Sequence, residues 1–127
     1  MTKPCKPCGG TGDGLLWVVK QGALFWHSFR VVKSTGAPFD LTGYEVRCQF
    51  RRWHFESLTT AIAVATCTII DAAKGKVELK LGATVTRLMF DRGVFDVEVA
   101  SLTDPDEVYR VAQGRWSTSL EATLDGP

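Results

Sequence analysis

From Leu15 onward the chain alternates between apolar and polar positions. Leu15, Trp17 and Val19 keep a period of two until Gly22 interrupts it. Phe25, His27, Phe29 and Val31 share the next face, with Trp26, Ser28 and Arg30 opposite. Tyr44, Val46, Cys48 and Phe50 then alternate with Glu45, Arg47, Gln49 and Arg51. Successive side chains of an extended strand point to opposite faces, so this period predicts half-buried strands. Residues 61–70 form an apolar, β-branched run ending at Asp71. Val77, Leu79 and Leu81 follow, with Glu78 and Lys80 outward, and Phe95, Val97 and Val99 alternate with Asp96 and Glu98. Tyr109 and Val111 continue the rhythm, and a last strand over 116–124 puts Trp116, Thr118, Leu120 and Ala122 on one side.

Glycine and proline punctuate these runs. Ser34-Thr35-Gly36-Ala37-Pro38, Lys74-Gly75-Lys76 and Asp104-Pro105-Asp106 predict turns, and 39–43 predicts an irregular link. One stretch, 82–92, suits a short helix through Ala83, Arg87 and Leu88, although Thr84, Val85 and Thr86 weaken it. No alternation of strand with helix appears. Seven or eight short strands predict an all-β, immunoglobulin-like antiparallel β-sandwich over residues 15–127, carrying one short helix. Its core is expected to collect Phe25, Phe29, Val46, Phe50, Val77, Leu79, Phe95, Val97 and Val111. Residues 1–14, broken by Pro4, Pro7 and four glycines, read as an extended arm with too little apolar surface to offset its ordering entropy.

The 127 residues suit one domain. Fifteen Lys and Arg nearly cancel fourteen Asp and Glu, so no global field recruits nucleic acid or an anionic membrane. No apolar run approaches the roughly 20 residues of a bilayer span. The N-terminus has Lys3 and Lys6 followed by glycines, without the apolar stretch of a secretory signal. Folding in cytosol is therefore expected, where four cysteines do not make a disulfide framework.

Candidate chemistry is sparse. His27 lies on the apolar face of its strand, the place of a core or boundary imidazole, and His54 sits in Arg51-Arg52-Trp53-His54-Phe55 at a strand end. Asp96 and Glu98 share one strand face but lie opposite Phe95, Val97 and Val99, which makes them the solvated side. No glycine-rich phosphate loop joins a strand to a helix. Arg47, Arg51, Arg52 and Trp53 would suit a nucleic-acid backbone, but strand alternation already turns Arg47 and Arg51 outward and the net charge is only +1. Trp17, Trp26, Trp53 and Trp116 offer flat faces for sugars, though tryptophans in a sandwich are mostly core. No catalytic residue, no cofactor, no nucleic-acid partner and no membrane partner are expected.

Cys5-Lys6-Pro7-Cys8-Gly9-Gly10-Thr11-Gly12 resembles one repeat of the zinc domain of DnaJ-type chaperones. Structural zinc needs four ligands, and this arm gives two. Cys48 and Cys67 stand alone, and Cys48 shares its face with Val46 and Phe50 as a buried apolar residue would. A metal site within one chain is not expected; Cys5 and Cys8 would form one only by pooling with other copies.

The segments Gly36-Ala37-Pro38-Phe39-Asp40-Leu41-Thr42-Gly43-Tyr44 and Val108-Tyr109-Arg110-Val111-Ala112-Gln113-Gly114-Arg115-Trp116 carry a resemblance. With Gln21-Gly22-Ala23-Leu24-Phe25, 46–52 and 93–99, they resemble small tailed-bacteriophage virion proteins, including the N-terminal domains of baseplate-upper-protein-like chains. The resemblance implies a non-enzymatic connector of tail, baseplate or neck, assembled in host cytoplasm and present in many copies. Its partners would be other virion proteins and copies of itself, met through sheet edges and the arm. In a particle that works outside the cell, Cys5 and Cys8 become candidates for intermolecular disulfides. A carbohydrate-binding module for host-surface glycans is the alternative.

Overall fold

The computed structural model describes residues 4–5, 15–52, 62–90 and 92–120. Each alternating run within them is a strand. In chain order these are β1 (Pro4–Cys5), β2 (Leu15–Lys20), β3 (Phe25–Arg30), β4 (Val32–Lys33), β5 (Tyr44–Arg52), β6 (Ala63–Asp71), β7 (Lys76–Leu81), β8 (Arg92–Ser101) and β9 (Val108–Ser119). The described residues are mostly β, with a single helical turn among them, α1 (Ala83–Thr86), between β7 and β8. The helix expected over 82–92 shrinks to that turn because three of its four residues, Thr84, Val85 and Thr86, are β-branched and stiff at χ1.

Seven strands make one sheet in the order β2-β9-β8-β5-β6-β7-β3, and β1 pairs separately with β4. The sheet is curled. Its edge strands are β2 and β3, yet the Trp17 ring of β2 lies 5.6 Å from Phe25 and 4.9 Å from His27 of β3. The turn lies in β6, whose start pairs with β5 through Ala63–Ala65 and whose remainder pairs with β7.

Two pairings depart from a purely antiparallel, short-stranded reading. β2 runs parallel to β9, with Leu15 opposite Gly114 and Lys20 opposite Ser119. Gly114 permits this approach, since a Cβ there would collide with the Leu15 carbonyl. The expected separate strands at Tyr109 and Trp116 are one strand of twelve residues, β9. It tolerates a register shift where Val97 faces Ala112 and Glu98 faces Arg110, a β-bulge that re-aims the strand.

The core lies inside the curl. Of the nine expected core residues, Val46, Phe50, Val77, Leu79, Phe95, Val97 and Val111 are buried, while Phe25 and Phe29 are half-buried at the edge strand. Trp116 is fully buried, and its indole N–H donates to the Arg51 carbonyl at 3.0 Å. Gly93, beside both, leaves the space this requires: a Cβ there would strike that carbonyl and come within 2.7 Å of the indole nitrogen. One end of the curl is plugged by Phe39 and Leu41 from the link expected to be irregular. Their N–H groups donate to the Val31 and Ala72 carbonyls at 3.0 and 2.9 Å, respectively. At the other end Met89 and Thr86 are buried, and the Thr86 hydroxyl donates to the Ala23 carbonyl at 2.7 Å.

Candidate functional site

Both ends of the curl are plugged, but its side is not. Between β2 and β3 a cavity of about 720 Å3 opens to solvent. Leu15 and Trp17 form one wall, His27 and Phe29 the other, with Val97 and Ala112 at its base. These are the inward residues of their strands, so the opening exposes core-type surface. Trp17 is fixed by a stacked contact with Phe95, centroids 3.8 Å apart. Burial holds the His27 imidazole below its ordinary pKa, favouring the neutral ring. At the far end of β3, Arg30 stands directly opposite Lys76 of β7, and both border the cavity.

A second apolar surface lies at the α1 end. Leu24, Leu88, Phe90 and Leu120 are all exposed there, Leu88 by 76% and Leu120 by 72%. Hydrogen bonds gather them: the Gln21 side-chain amide donates to the Arg87 and Met89 carbonyls at 3.2 and 3.3 Å, and the Gln21 N–H to Ser119 at 2.9 Å. Leu24 sits in the turn before β3 and Leu120 directly after β9, which brings both beside α1.

The other singled-out residues fall apart. Asp96 and Glu98 do not act as a carboxylate pair; Arg110 lies 3.7 Å from Asp96 and Arg47 3.2 Å from Glu98 on the outer face. Arg51 donates to the Gln49 side chain at 2.7 Å. Trp53 and His54 lie outside the described residues, as does Cys8. Of the arm, only Pro4–Cys5 is described, as the strand β1 paired with Val32 and Lys33. Cys48 is a buried free thiol whose pKa burial pushes far up, and Cys67 is pushed up to about 11 by the same cause. Both thiols stay protonated at neutral pH. Among the described residues no three His, Cys, Asp or Glu side chains come together as a metal site.

Of the described tryptophans, Trp116 is buried and Trp17 packs against the core, whereas Trp26 does not. It is 52% exposed on the outer face of β3, and its indole N–H donates to Glu78. That bond, with Lys80 at 3.3 Å, holds the Glu78 carboxyl below its usual range. The sequence pattern places Trp26 outward, opposite His27, and alternation alone was the signal for its exposure.

No protein-family model matches the chain, and no curated protein matches it. Among the described residues no helix is long and apolar enough to cross a membrane.

Proposed function

We propose that the chain is a non-enzymatic structural protein of a tailed-bacteriophage virion, an immunoglobulin-like connector in tail, baseplate or neck. It works in many copies, joins other virion proteins and itself, and is assembled in the host cytoplasm. The observation that carries this reading is the open seam: two sheet edges, β2 and β3, flank an apolar cavity that a neighbouring chain would cover. The exposed apolar surface beside α1 offers a second contact. The sandwich reading draws support from β6, which switches partners part-way and so sets β2-β9-β8-β5 apart from β7-β3. The test is an immunoblot of gradient-purified particles, run with and without reductant. A band that co-sediments with particles is expected, shifted to multimers without reductant if Cys5 or Cys8 bridges copies. Particles that lack the chain overturn the reading.

A carbohydrate-binding module is favoured by one observation, the exposed Trp26 on a sheet face that also presents Thr66 and Lys80. Glycan-array binding that Trp26→Ala abolishes would replace the connector reading with this one.

A further inference from the structure

We propose that the apolar surface beside α1 receives a second copy of this chain, head to tail, through the corner that joins β8 to β9. The inference rests on the connector reading, in which the chain joins copies of itself, and adds the two surfaces that meet.

These surfaces are the opposite ends of one hairpin. β8 and β9 pair from Arg92 opposite Ser117 to Ala100 opposite Val108. The ten extended residues of β8 hold the two ends roughly 30 Å apart. At the open end, Lys20, Arg87 and Arg92 are exposed around the exposed Leu24, Leu88 and Leu120. Lys20 stands opposite Ser119, one residue before Leu120, and the Gln21 side chain ties that point to the Arg87 carbonyl beside Leu88. None of the three cations has an ion-pair partner among the described residues. The described carboxylates nearest along the strands are engaged: Glu78 with Trp26 and Lys80, and Asp96 with Arg110 at 3.7 Å. Asp91 and Glu121 adjoin this end in sequence, two carboxylates against three cations.

The closed end is its complement. Residues 101–107 hold Asp104, Asp106 and Glu107 and no cation, and 102–106 are all exposed. Leu102 and Val108 give the corner exposed apolar flanks. Its shape is set from within. The Ser101 hydroxyl accepts the Asp104 N–H at 3.1 Å, the Asp104 carboxylate accepts the Asp106 N–H at 3.0 Å, and the Ser101 N–H donates to the Glu107 carbonyl at 2.9 Å. A corner already ordered loses little freedom on docking. The cations nearest it along the strands, Arg47 and Arg110, are paired with Glu98 and Asp96. Lys33 and Lys74 lie beyond the 39–43 link, which meets the β6–β7 turn at Leu41 and the corner at Gly43.

Charge decides which surface meets which. Two α1 ends face to face would set Lys20, Arg87 and Arg92 against themselves, and two corners would do the same with Asp104 and Asp106. A corner on an α1 end brings opposite charges together. Because it joins two different surfaces, the contact repeats from copy to copy, as a closed ring or an open row.

The test is sedimentation velocity of the full chain, in reductant so that Cys5 and Cys8 form no cross-links. Mean mass should rise with concentration past that of a dimer, and raising the salt should weaken association at least about tenfold. Leu88→Ser should weaken it several-fold with an unchanged thermal midpoint. Asp104→Lys with Asp106→Lys makes both ends basic, and Lys20→Glu with Arg87→Glu and Arg92→Glu makes both acidic. Each of these variants alone should stay monomeric, and their equimolar mixture should assemble, a gain that misfolding would not produce. A monomeric wild-type chain overturns the proposal, as does assembly that salt and Leu88→Ser leave unchanged, or folded charge variants whose mixture associates no more than its parts. Assembly that appears only after residues 121–127 are removed also overturns it, by making the chain's own C-terminal segment the occupant. So does a monomer that co-sediments with phosphatidylglycerol vesicles, which would make a lipid surface the occupant. Particles that contain a chain monomeric in solution would leave the connector reading standing and remove this one.

Discussion

Trp116 shows how much a single side chain organises. It sits opposite Trp17 in the β2–β9 ladder and opposite Gly93 in the β8–β9 ladder, and its indole reaches across to Arg51 at the end of β5. One residue therefore ties four strands at the level where the seam begins. Trp116→Phe keeps an aromatic ring but leaves the space and hydrogen bond of the indole N–H unfilled. Loss of one partner from a buried hydrogen bond costs about 1–3 kcal/mol. The midpoint of urea unfolding should fall by the equivalent amount with an unchanged m-value. An unaltered midpoint would show that the Arg51 carbonyl is satisfied without the indole.

At the scale of elements, the plug opposite α1 depends on a shared carboxylate. The Tyr44 hydroxyl, at the start of β5, donates to the Glu107 carboxylate at 2.7 Å, and the Tyr109 hydroxyl of β9 donates to the same oxygen at 2.8 Å. Phe39 packs edge-on against both rings. The Glu107 residue thus locks the β8–β9 connection to the 39–43 link and the first turn of β5. This acceptor, with its negative charge, raises the Tyr44 pKa to about 12. Burial and the same carboxylate also raise the Tyr109 pKa, so Glu107→Ala should bring the Tyr44 ionisation back toward the ordinary 10 and lower that of Tyr109 as well, visible as both tyrosinates absorbing earlier in an alkaline titration. The sequence could suggest the strands carrying Tyr44 and Tyr109 but not the meeting of Tyr44 with Glu107, because residues 63 positions apart in sequence are joined only by the return of the chain into β9.

At the scale of the molecule, the open seam puts a titratable group into an apolar wall. His27 resists protonation in the folded chain because burial disfavours its charged form. Below its ordinary value of 6.5 the unfolded chain takes up a proton that the folded chain does not. The stability linked to His27 is therefore complete above that pH and is lost as pH falls through it toward the lowered folded value. His27→Phe should flatten the drop in thermal midpoint between about pH 7 and pH 5 relative to the unaltered chain. His54 is present in both chains, so the difference isolates His27. Equal slopes would mean that the seam leaves the imidazole as wet as in the unfolded chain.

The sequence by itself determined the strands, because period two is a local property that survives any arrangement of neighbours. Phe95 and Val97 inward with Asp96 and Glu98 outward followed from alternation, and the structure agrees with that register. The turns at Gly36 and Gly75 were equally local: both glycines adopt positive φ, 89° and 69°, which other residues rarely adopt. Tertiary structure alone decided what the strands do together. The parallel pairing of β2 with β9 joins opposite ends of the chain, and nothing in Leu15–Lys20 distinguishes a parallel partner from an antiparallel one. Phe39 and Leu41 looked like link residues because the 39–43 segment has no period; they are core because the fold lays that link over an open end. The seam is the clearest case. Alternation made Trp17 and His27 inward residues, but whether inward meant buried depended on the curl of the sheet, which stops before β2 and β3 pair and leaves a cavity open between them.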